Sequence, residues 1–407
     1  AEGPPRRVLR NGPGVMSEAL RDKAAIVGIG TSRFGRHLPE SQLALAAQAL
    51  KAALADAGLE RGDIDGLSIH IGWPLGVDYD QVAQAFGLEI DFVNQAWTHG
   101  RFVTGSLQTA AMAVATGMAK VVACVNVLSF TRERDILGGP HDFEGYRETG
   151  GTHAETPHYG LTAPAGGAAL AMQRYMALYG ATSAELAAVP VALRAHARLN
   201  PKAVMRKTMS VADHQASRMV VDPLRLFDCC IVSDGAAVVL VTTAERANDL
   251  GQRPVYIAGM QGMAAGRNEF IFAPPGLGIN QQSGERPERP QTRDLAVYRS
   301  ADIPREAILG LYTYDAFSPL VLFVLERFGF CAPGEAATFV QGGRIGPGGA
   351  LPVNTSGGLL SEAHVAGWNS LCEMVLQLRG EAGPRQIADA RALQWATAWG
   401  DSLILRN

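Results

Sequence analysis

The sequence has no long apolar run, almost no net charge and no signal for export. No uninterrupted apolar stretch reaches the roughly 18 residues that a membrane-spanning helix needs, so no membrane insertion is expected. The 36 basic and 39 acidic side chains leave a net charge of −3, which argues against a nucleic-acid partner. The chain does not open on a basic segment followed by an apolar one, as a signal peptide would. These absences leave a globular protein, and 47% hydrophobic residues are ample for a large core.

Cysteine is scarce and irregularly placed. The five cysteines are an odd number without the spacing of a metal site, which predicts reduced thiols and a cytoplasmic location. Neither a dinucleotide-binding fingerprint nor a phosphate-binding P-loop is present, so no metal, flavin or nicotinamide cofactor is expected. The cysteines are Cys124, Cys229, Cys230, Cys331 and Cys372.

The length of 407 residues predicts two or three domain-sized units. Residues 1–15 are rich in Gly, Pro and Arg and are interpreted as an added tag or a disordered leader, with a native start at Met16. The pattern of strands and helices begins again near residue 251. We therefore predict an N-terminal half over 16–250, which includes a loop region at 128–232, and a C-terminal half over 251–407.

Strands and helices alternate along the chain. Continuous apolar runs such as Val121 to Val127 predict buried strands of a sheet that is covered on both faces. Apolar residues three and four apart between Glu40 and Gly58 predict an amphipathic helix. The alternation indicates an α/β protein with two halves. The predicted strands are 24–30, 64–71, 121–127, 234–241, 255–263, 307–314, 392–398 and 402–405, and the predicted helices are 40–58, 105–117, 163–181, 183–199, 318–328 and 363–379.

Four stretches carry side chains that catalysis uses. They are Thr104-Gly105-Ser106 at a helix start, Ser217 to Leu226 continuing into Asp228-Cys229-Cys230 and Ser233-Asp234-Gly235-Ala236, Tyr314-Asp315-Ala316-Phe317-Ser318, and Asn354-Thr355-Ser356-Gly357-Gly358 with His364 downstream. Each is a weak signal alone, but together and in this order they resemble the active-site loops of the thiolase superfamily, in particular its lipid-transfer-protein (sterol carrier protein) branch.

The resemblance extends over roughly residues 20–405 and implies a particular fold. Members of the superfamily consist of two similar βαβαβαββ halves, packed as a five-layered α/β/α/β/α sandwich. The internal sequence similarity of this chain is weak, so the duplication is an expectation from the resemblance alone.

The departures from the family pattern concern the nucleophile. In the lipid-transfer-protein branch a reactive cysteine lies just before the helix that begins with the Thr104-Gly105-Ser106 motif, and in this chain that position is Phe102. The second cysteine of some thiolases is also absent from the matching region, Trp395 to Gly400. A thiolase needs a thiolate to accept the acyl group. We therefore expect acyl-CoA chemistry without a covalent acyl-cysteine.

The remaining polar groups suit a retro-aldol cleavage of a β-hydroxyacyl-CoA. This reaction needs an acid/base pair and hydrogen-bond donors for a thioester enolate. The chain is most similar to thiolase-like aldolases of steroid side-chain breakdown, which lack the cysteine and have a tyrosine at the position of Tyr314 and a second one near His364. The resemblance implies that Tyr314 and His364 are catalytic, and which of them is the base is left open. A histidine with an ordinary pKa near 6.5 is the better base at neutral pH.

Eight further residues are candidates for binding the acyl-CoA. Phe102 either fills the space of the lost thiol or extends an apolar wall for a ring-shaped acyl group. A metal site at His153 and His158 is not expected, because Pro157 interrupts any helix that would align the ligands. The eight candidates are His99, Phe102, Thr104, Gly105, His153, Asn354, Gly357 and Gly358.

Structural roles compete with these functional ones. Tyr314 could be a core tyrosine and His364 a structural histidine. Asn354 could make only an Asx-type turn, and the two glycines could serve backbone geometry alone.

Two other functions remain open at this point. The chain could perform thiolysis with another nucleophile, or it could be a non-catalytic acyl-CoA-binding subunit. The resemblance also implies a homodimer, and a small partner with an OB fold and a zinc ribbon that would complete an α2β2 complex. Coenzyme A would enter only as part of the substrate.

Overall fold

The structure is a computed structural model that describes residues 18–71, 78–95, 103–129, 131, 164–263 and 295–407. Eleven strands and thirteen helices lie within these ranges. The strands are β1 (Ala24–Thr31), β2 (Gly66–Ile71), β3 (Phe92–Gln95), β4 (Val121–Ser129), β5 (Met219–Val221), β6 (Leu224–Arg225), β7 (Asp234–Thr243), β8 (Val255–Gln261), β9 (Leu311–Tyr312), β10 (Ala392–Ala396) and β11 (Ser402–Arg406). The helices are α1 (Gln42–Ala57), α2 (Tyr79–Phe86), α3 (Val103–Ala115), α4 (Pro164–Tyr179), α5 (Ser183–Leu186), α6 (Ala188–Arg198), α7 (Val211–Ala216), α8 (Ala244–Asn248), α9 (Ala296–Ala301), α10 (Ser318–Arg327), α11 (Ala336–Phe339), α12 (Gly358–Ser361) and α13 (Trp368–Arg379).

Nine of the strands form one mixed sheet in the order β3-β2-β4-β7-β1-β8-β11-β10-β9. The first strands of the two halves, β1 and β8, meet antiparallel at its centre, with Ala25 opposite Tyr256 and Ile26 opposite Val255. Outward from this join, the first half continues with its last strand β7, then β4 and β2, and the second half with its last strand β11, then β10 and β9. The strand directions also correspond, since β2 and β4 are parallel as β9 and β10 are. The sheet therefore repeats one topology on each side of the join.

Alternate residues of the first-half strands enter two different cores. In β4, Val122 and Cys124 belong to the larger cluster, which also contains the second half, whereas Val121 and Val125 belong to a cluster beneath α1. A two-residue period with both faces buried is the arrangement expected when helices cover both sides of a sheet.

Two helices lie between the two halves of the sheet. Helices α3 and α13 each contact strands of both halves, whereas α1 packs on the opposite face of the first-half strands and α9 on β8 and β11. The layers are thus helix, strands, helices, strands, helix.

The local signals that begin and end α1 are clear. Ser41 accepts a hydrogen bond from the Ala44 N–H at the start, and Gly58 adopts a left-handed conformation (φ 66°) at the end. This agrees with the helix predicted over 40–58. In contrast, the helix predicted over 363–379 begins only at Trp368, because Ala366 and Gly367 both have positive φ (58° and 88°).

The strand predicted over 307–314 is reduced to β9. The Arg305–Ala307 segment is a 3-10 helix. Beyond Tyr312, the backbone of Thr313 bonds to the side chain of Asn354: its N–H donates to Oδ1 (2.9 Å) and its carbonyl accepts from Nδ2 (3.0 Å). A side-chain amide thus takes the place of a neighbouring strand.

Within the described ranges, no single helix is long and apolar enough to span a bilayer. Helix α4 and the segment Ser183–Arg198 reach that length and composition only together, with a bend of 120° between them.

Candidate active site

The candidate site centres on two side chains that lie 50 residues apart in the chain. Tyr314 follows β9, and His364 follows the short helix α12. Both are buried, and the Tyr314 hydroxyl lies 3.2 Å from Nε2 of His364. Their rings meet edge to face, with centroids 5.7 Å apart. The structure therefore brings together the two residues that the sequence assigns to acid/base chemistry.

The charge state of His364 follows from its surroundings. Burial lowers the pKa of its imidazole to about 4, opposed by a smaller backbone interaction of the histidine itself. The ring is therefore neutral at pH 7 and can accept a proton. The sequence-based expectation of a base with an ordinary pKa needs adjusting, since burial makes His364 a weaker base than an exposed histidine.

The backbone around His364 is held by residues of the first half. The His364 N–H donates to Oγ of Ser233 (2.8 Å), and the carbonyl of the next residue, Val365, accepts from the Asn126 side-chain amide (3.1 Å). Ser233 directly precedes β7, and Asn126 lies in β4. Both are buried.

An aromatic side chain borders the other side of Tyr314. The Trp399 ring lies 5.5 Å from that of Tyr314, centroid to centroid, in a turn between β10 and β11. Asp401 anchors this turn, since its carboxylate accepts from Thr397 Oγ1 in the turn and from Thr104 Oγ1 at the start of α3 (2.6 Å). Burial raises the pKa of Asp401, against the opposing effect of its hydrogen bonds.

The Asp401 contact also bears on two predicted binding residues. Thr104 and Gly105 lie in the first turn of α3, as the sequence predicts for a helix start. The Thr104 hydroxyl is occupied as a donor to Asp401. A role of either residue in binding substrate stays a prediction.

Asn354 and Asp315 join the two loops of the site. Besides bonding the backbone of Thr313, the Asn354 amide donates to Oδ1 of Asp315 (2.7 Å). The Asp315 carboxylate also accepts the backbone N–H groups of Leu359 (2.9 Å) and Leu360 (3.1 Å) at the start of α12. Asp315 thereby fixes the segment of Tyr314 to the helix that leads to His364.

The buried carboxylate of Asp315 has a perturbed pKa. Burial raises the pKa to about 7, while the N–H groups of Leu359 and Leu360 act in the opposite direction. The buried carboxylate of Glu362, which accepts from Asn200 and Asn369, contributes to the increase.

The two predicted glycines of the site have identifiable backbone roles. Gly357 has φ 108°, and an added Cβ would lie 2.6 Å from Cβ of Ala197. Gly358 has φ 58°, and an added Cβ would lie 2.7 Å from Oδ1 of Asp315. Both positions therefore need glycine for geometry. Contact of these glycines with the substrate stays a prediction.

Three candidates, His99, Phe102 and His153, lie outside the described residues. Conversely, sequence reasoning passed over Ser233, Asp315, Trp399 and Asp401. Ser233 and Asp315 both lie inside the motifs named above, and Asp315 directly follows Tyr314, so their place in those motifs was the available signal. Asp401 had none, because its partner Thr104 is 297 residues away.

Four of the five cysteines are poor candidates for an alternative nucleophile. Burial raises the pKa of the Cys124, Cys229 and Cys372 thiols to about 12, and that of Cys230 further still. A thiol with so high a pKa carries almost no thiolate at neutral pH. Across the described ranges, no three His, Cys, Asp or Glu side chains are grouped as metal ligands would be.

Comparison with known proteins agrees with the motif order. Residues 294–403 match the family described as thiolase C-terminal domain-like. The chain is 40% identical over 380 residues to the 17-hydroxy-3-oxo-4-pregnene-20-carboxyl-CoA lyase of Mycobacterium tuberculosis, a match that covers 89% of this chain and 92% of the relative. It is 36% identical over 382 residues to a steroid side-chain-cleaving aldolase of Thermomonospora curvata, over 89% of this chain and 91% of that one.

Solved structures show the same relationship. The structure described as an Ltp2-ChsH2(DUF35) aldolase superposes with a TM-score of 0.83 and 36% identity, over 95% of this chain and 98% of that one. A monomeric SCP2-thiolase-like protein of Mycobacterium smegmatis has a TM-score of 0.64 at 19% identity, over 95% and 77% of the two chains, which shows the fold alone. The predicted thiolase fold is thus confirmed.

Proposed function

This chain belongs to the steroid side-chain-cleaving aldolases of the thiolase superfamily, and we propose that it cleaves a β-hydroxyacyl-CoA by a retro-aldol reaction. The substrate in this proposal is a steroid side-chain thioester. The products are a ketone or aldehyde and acetyl-CoA or propionyl-CoA. The lyase names of relatives that match about nine-tenths of the chain support the reaction class.

The observation that carries the proposal is the buried Tyr314–His364 pair. The sequence has Phe102 where the resemblance places a reactive cysteine. Because His364 is neutral at pH 7, its Nε2 can accept the proton of the Tyr314 hydroxyl 3.2 Å away. In the proposed cycle, Tyr314 takes the proton of the substrate's β-hydroxyl as its own proton passes to His364.

The cleavage step that follows conserves atoms and electrons. The O–H electrons form the new carbonyl, the Cα–Cβ bond breaks, and its electron pair becomes a thioester enolate. After the ketone or aldehyde leaves, His364 returns its proton through Tyr314 to Cα. The net change is cleavage of one carbon–carbon bond with no other reactant, and coenzyme A enters as part of the substrate.

A product assay with and without free coenzyme A tests the proposal. A steroid-derived β-hydroxyacyl-CoA serves as substrate, and the ketone and the short acyl-CoA are quantified. We expect carbon–carbon cleavage at the same rate without free coenzyme A. A strict requirement for coenzyme A would instead indicate thiolysis, and the retro-aldol proposal would be rejected.

The assembly of the enzyme is a further part of the proposal. One relative of known structure is described as an Ltp2-ChsH2(DUF35) aldolase. We therefore propose that this chain forms a homodimer and binds a small OB-fold, zinc-ribbon partner of the DUF35 type, giving α2β2. The mass of the chain, 43.1 kDa, makes the dimer and the complex distinguishable by light scattering. Full activity of the purified chain alone would contradict an obligatory partner.

We also propose a cytoplasmic location. All five cysteines lie in the described part of the chain, and none of them is in a disulfide. Reduced thiols are usual in that compartment.

A further inference from the structure

Asn126 is a polar side chain in the otherwise apolar interior of strand β4. Asn126 is fully buried in the run Val121–Ser129. By the two-residue period of the strand, it shares a face with Cys124 and Leu128, which pack in the larger core cluster. A buried amide costs free energy unless it is hydrogen-bonded, so an apolar residue would suit this position better for stability alone.

Asn126 donates a hydrogen bond to a residue of the second half. Its Nδ2 donates to the carbonyl of Val365, 239 residues away and next to His364. On the other side of His364, the backbone N–H donates to Ser233 Oγ at 2.8 Å. The two bonds hold the backbone on both sides of the histidine, and both come from the first half.

The backbone at this point needs such a restraint. Directly after Val365, Ala366 has φ 58°, a left-handed conformation that an alanine adopts only under strain. Gly367 follows with φ 88° and cannot carry a side chain, because an added Cβ would overlap the Trp395 ring. A strained segment persists only where its surroundings determine it, and the Asn126 bond to Val365 is one such determinant.

We propose that Asn126 is a positioning residue for His364, acting with Ser233 to fix the 3.2 Å approach of Nε2 to the Tyr314 hydroxyl. In this role Asn126 acts through the Val365 carbonyl, on the backbone from which the imidazole projects. The inference rests on the proposed acid/base role of His364.

A double-mutant cycle tests the inference. Asn126→Leu keeps the shape of the side chain and removes the donor. We expect kcat to fall about 10- to 100-fold, the effect of a small misplacement of a catalytic group, with KM within about threefold. In a His364→Gln background, the same change should lower kcat by less than about twofold, because no imidazole remains to be positioned.

Ser129→Ala is the matched control. It removes the other buried polar side chain of β4, on the opposite face of the strand, and should leave kcat within about twofold in both backgrounds. If Asn126→Leu does not fold, as judged by thermal unfolding, Ser233→Ala enters the same cycle. We then expect a roughly two- to tenfold loss of kcat that disappears in the His364→Gln background.

The outcomes distinguish failure of the positioning role of Asn126 from failure of the acid/base role of His364. An equal fold-loss in both backgrounds overturns the positioning role and leaves the retro-aldol proposal intact. If His364→Gln itself keeps normal turnover, the acid/base role of His364 fails, and the positioning role fails with it.

Discussion

The two halves of the sheet follow the same topology but use their third strands differently. In the first half, β3 pairs parallel with β2 through four residue pairs and forms an edge at which Val93 is 38% exposed. In the second half, the corresponding contact is one parallel bridge between Leu311 and Val353, both fully buried. The chain then turns at Asn354, whose φ is 46°. The second half thus has a polar loop at the place where the first half has strand β3.

Among the described residues, the two halves contribute different groups to the candidate site. Tyr314, Asp315 and His364 all belong to the second half, next to the shortened strand. Asn126, Ser233 and Thr104 of the first half bond to backbone or to loops of the second. The two halves thus keep the same strand order, while the candidate acid/base pair lies where the second half has lost strand pairing.

Among the tests of this difference between the halves, removal of the Tyr314 hydroxyl should have the largest effect on turnover. Tyr314→Phe should lower turnover about 100-fold or more, because a positioned acid/base group contributes about that much. Steady-state kcat of the purified variant with the β-hydroxyacyl-CoA measures the effect. Near-normal turnover would remove Tyr314 from the mechanism.

Tyr312→Phe is the control for this substitution. Tyr312 is fully buried, and its hydroxyl lies 2.8 Å from Thr355 Oγ1. Its loss should leave turnover within about threefold while costing about 1 kcal/mol of unfolding free energy.

A glycine-to-alanine pair compares the two halves directly. Gly358 and Gly117 have similar positive φ values, 58° and 77°. An added Cβ meets Asp315 and Asn354 at Gly358 but nothing within 4 Å at Gly117. We expect Gly358→Ala to cost about 3 kcal/mol or more and Gly117→Ala about 1 kcal/mol, as measured by denaturant unfolding. Equal costs would mean that the carboxylate contact is readily relieved.

A smaller effect should distinguish the two third strands. Val353→Thr places a hydroxyl of nearly the same shape in a buried position, whereas Val93→Thr places it at a partly exposed edge. We expect the first to cost about 1–2 kcal/mol and the second less than about 0.5 kcal/mol in the free energy of unfolding. A reversed order would contradict the assignment of Val93 to the open edge.

The smallest effect expected is that of mild acid on turnover. Burial lowers the pKa of both His364 and His196, one in each half, to about 4. Because the histidine pKa is higher in the unfolded chain, these two side chains bind more protons there between about pH 6.5 and 4, and their contribution to stability is lost as the pH drops through that window. Asp315, whose pKa burial raises to about 7, contributes in the opposite direction as the pH drops. While the protein stays folded, His364 remains neutral between pH 7.5 and 5.5, so any change of kcat in that window should follow Asp315 rather than the histidine.

Matched substitutions assign this pH dependence. His196→Gln should flatten the stability profile and leave kcat unchanged, whereas His364→Gln should also reduce kcat. Near-ultraviolet circular dichroism at each pH confirms the folded state. An acid limb in kcat centred near pH 6.5 that Asp315→Asn does not remove would contradict a His364 that is neutral in this range.

The sequence was sufficient for the elements with regular apolar spacing and for the fold. Helix α1 and strand β4 fall within two residues of their predicted bounds, because their burial pattern is set locally. Helix α2 and strand β3 were not predicted, since both are short and the residues of β3 are only partly buried.

Within the site, the sequence indicated Tyr314 and His364 through motifs but not what holds them. The role of Asp315 depends on N–H groups of Leu359 and Leu360, which are orphaned only because α12 begins there. Asn126 depends on a carbonyl 239 residues away. Such contacts arise from the tertiary fold and leave no local pattern.

The antiparallel join of β1 and β8 has a consequence for how the protein is made. Each of these strands has the other as one of its neighbours, and α3 and α13 each need strands from both halves. A nascent chain released only as far as residue 250 would present one side of β1, and the faces meant for α13, to the solvent. The two halves therefore complete folding together, after synthesis of the second, and heating should melt them in one transition.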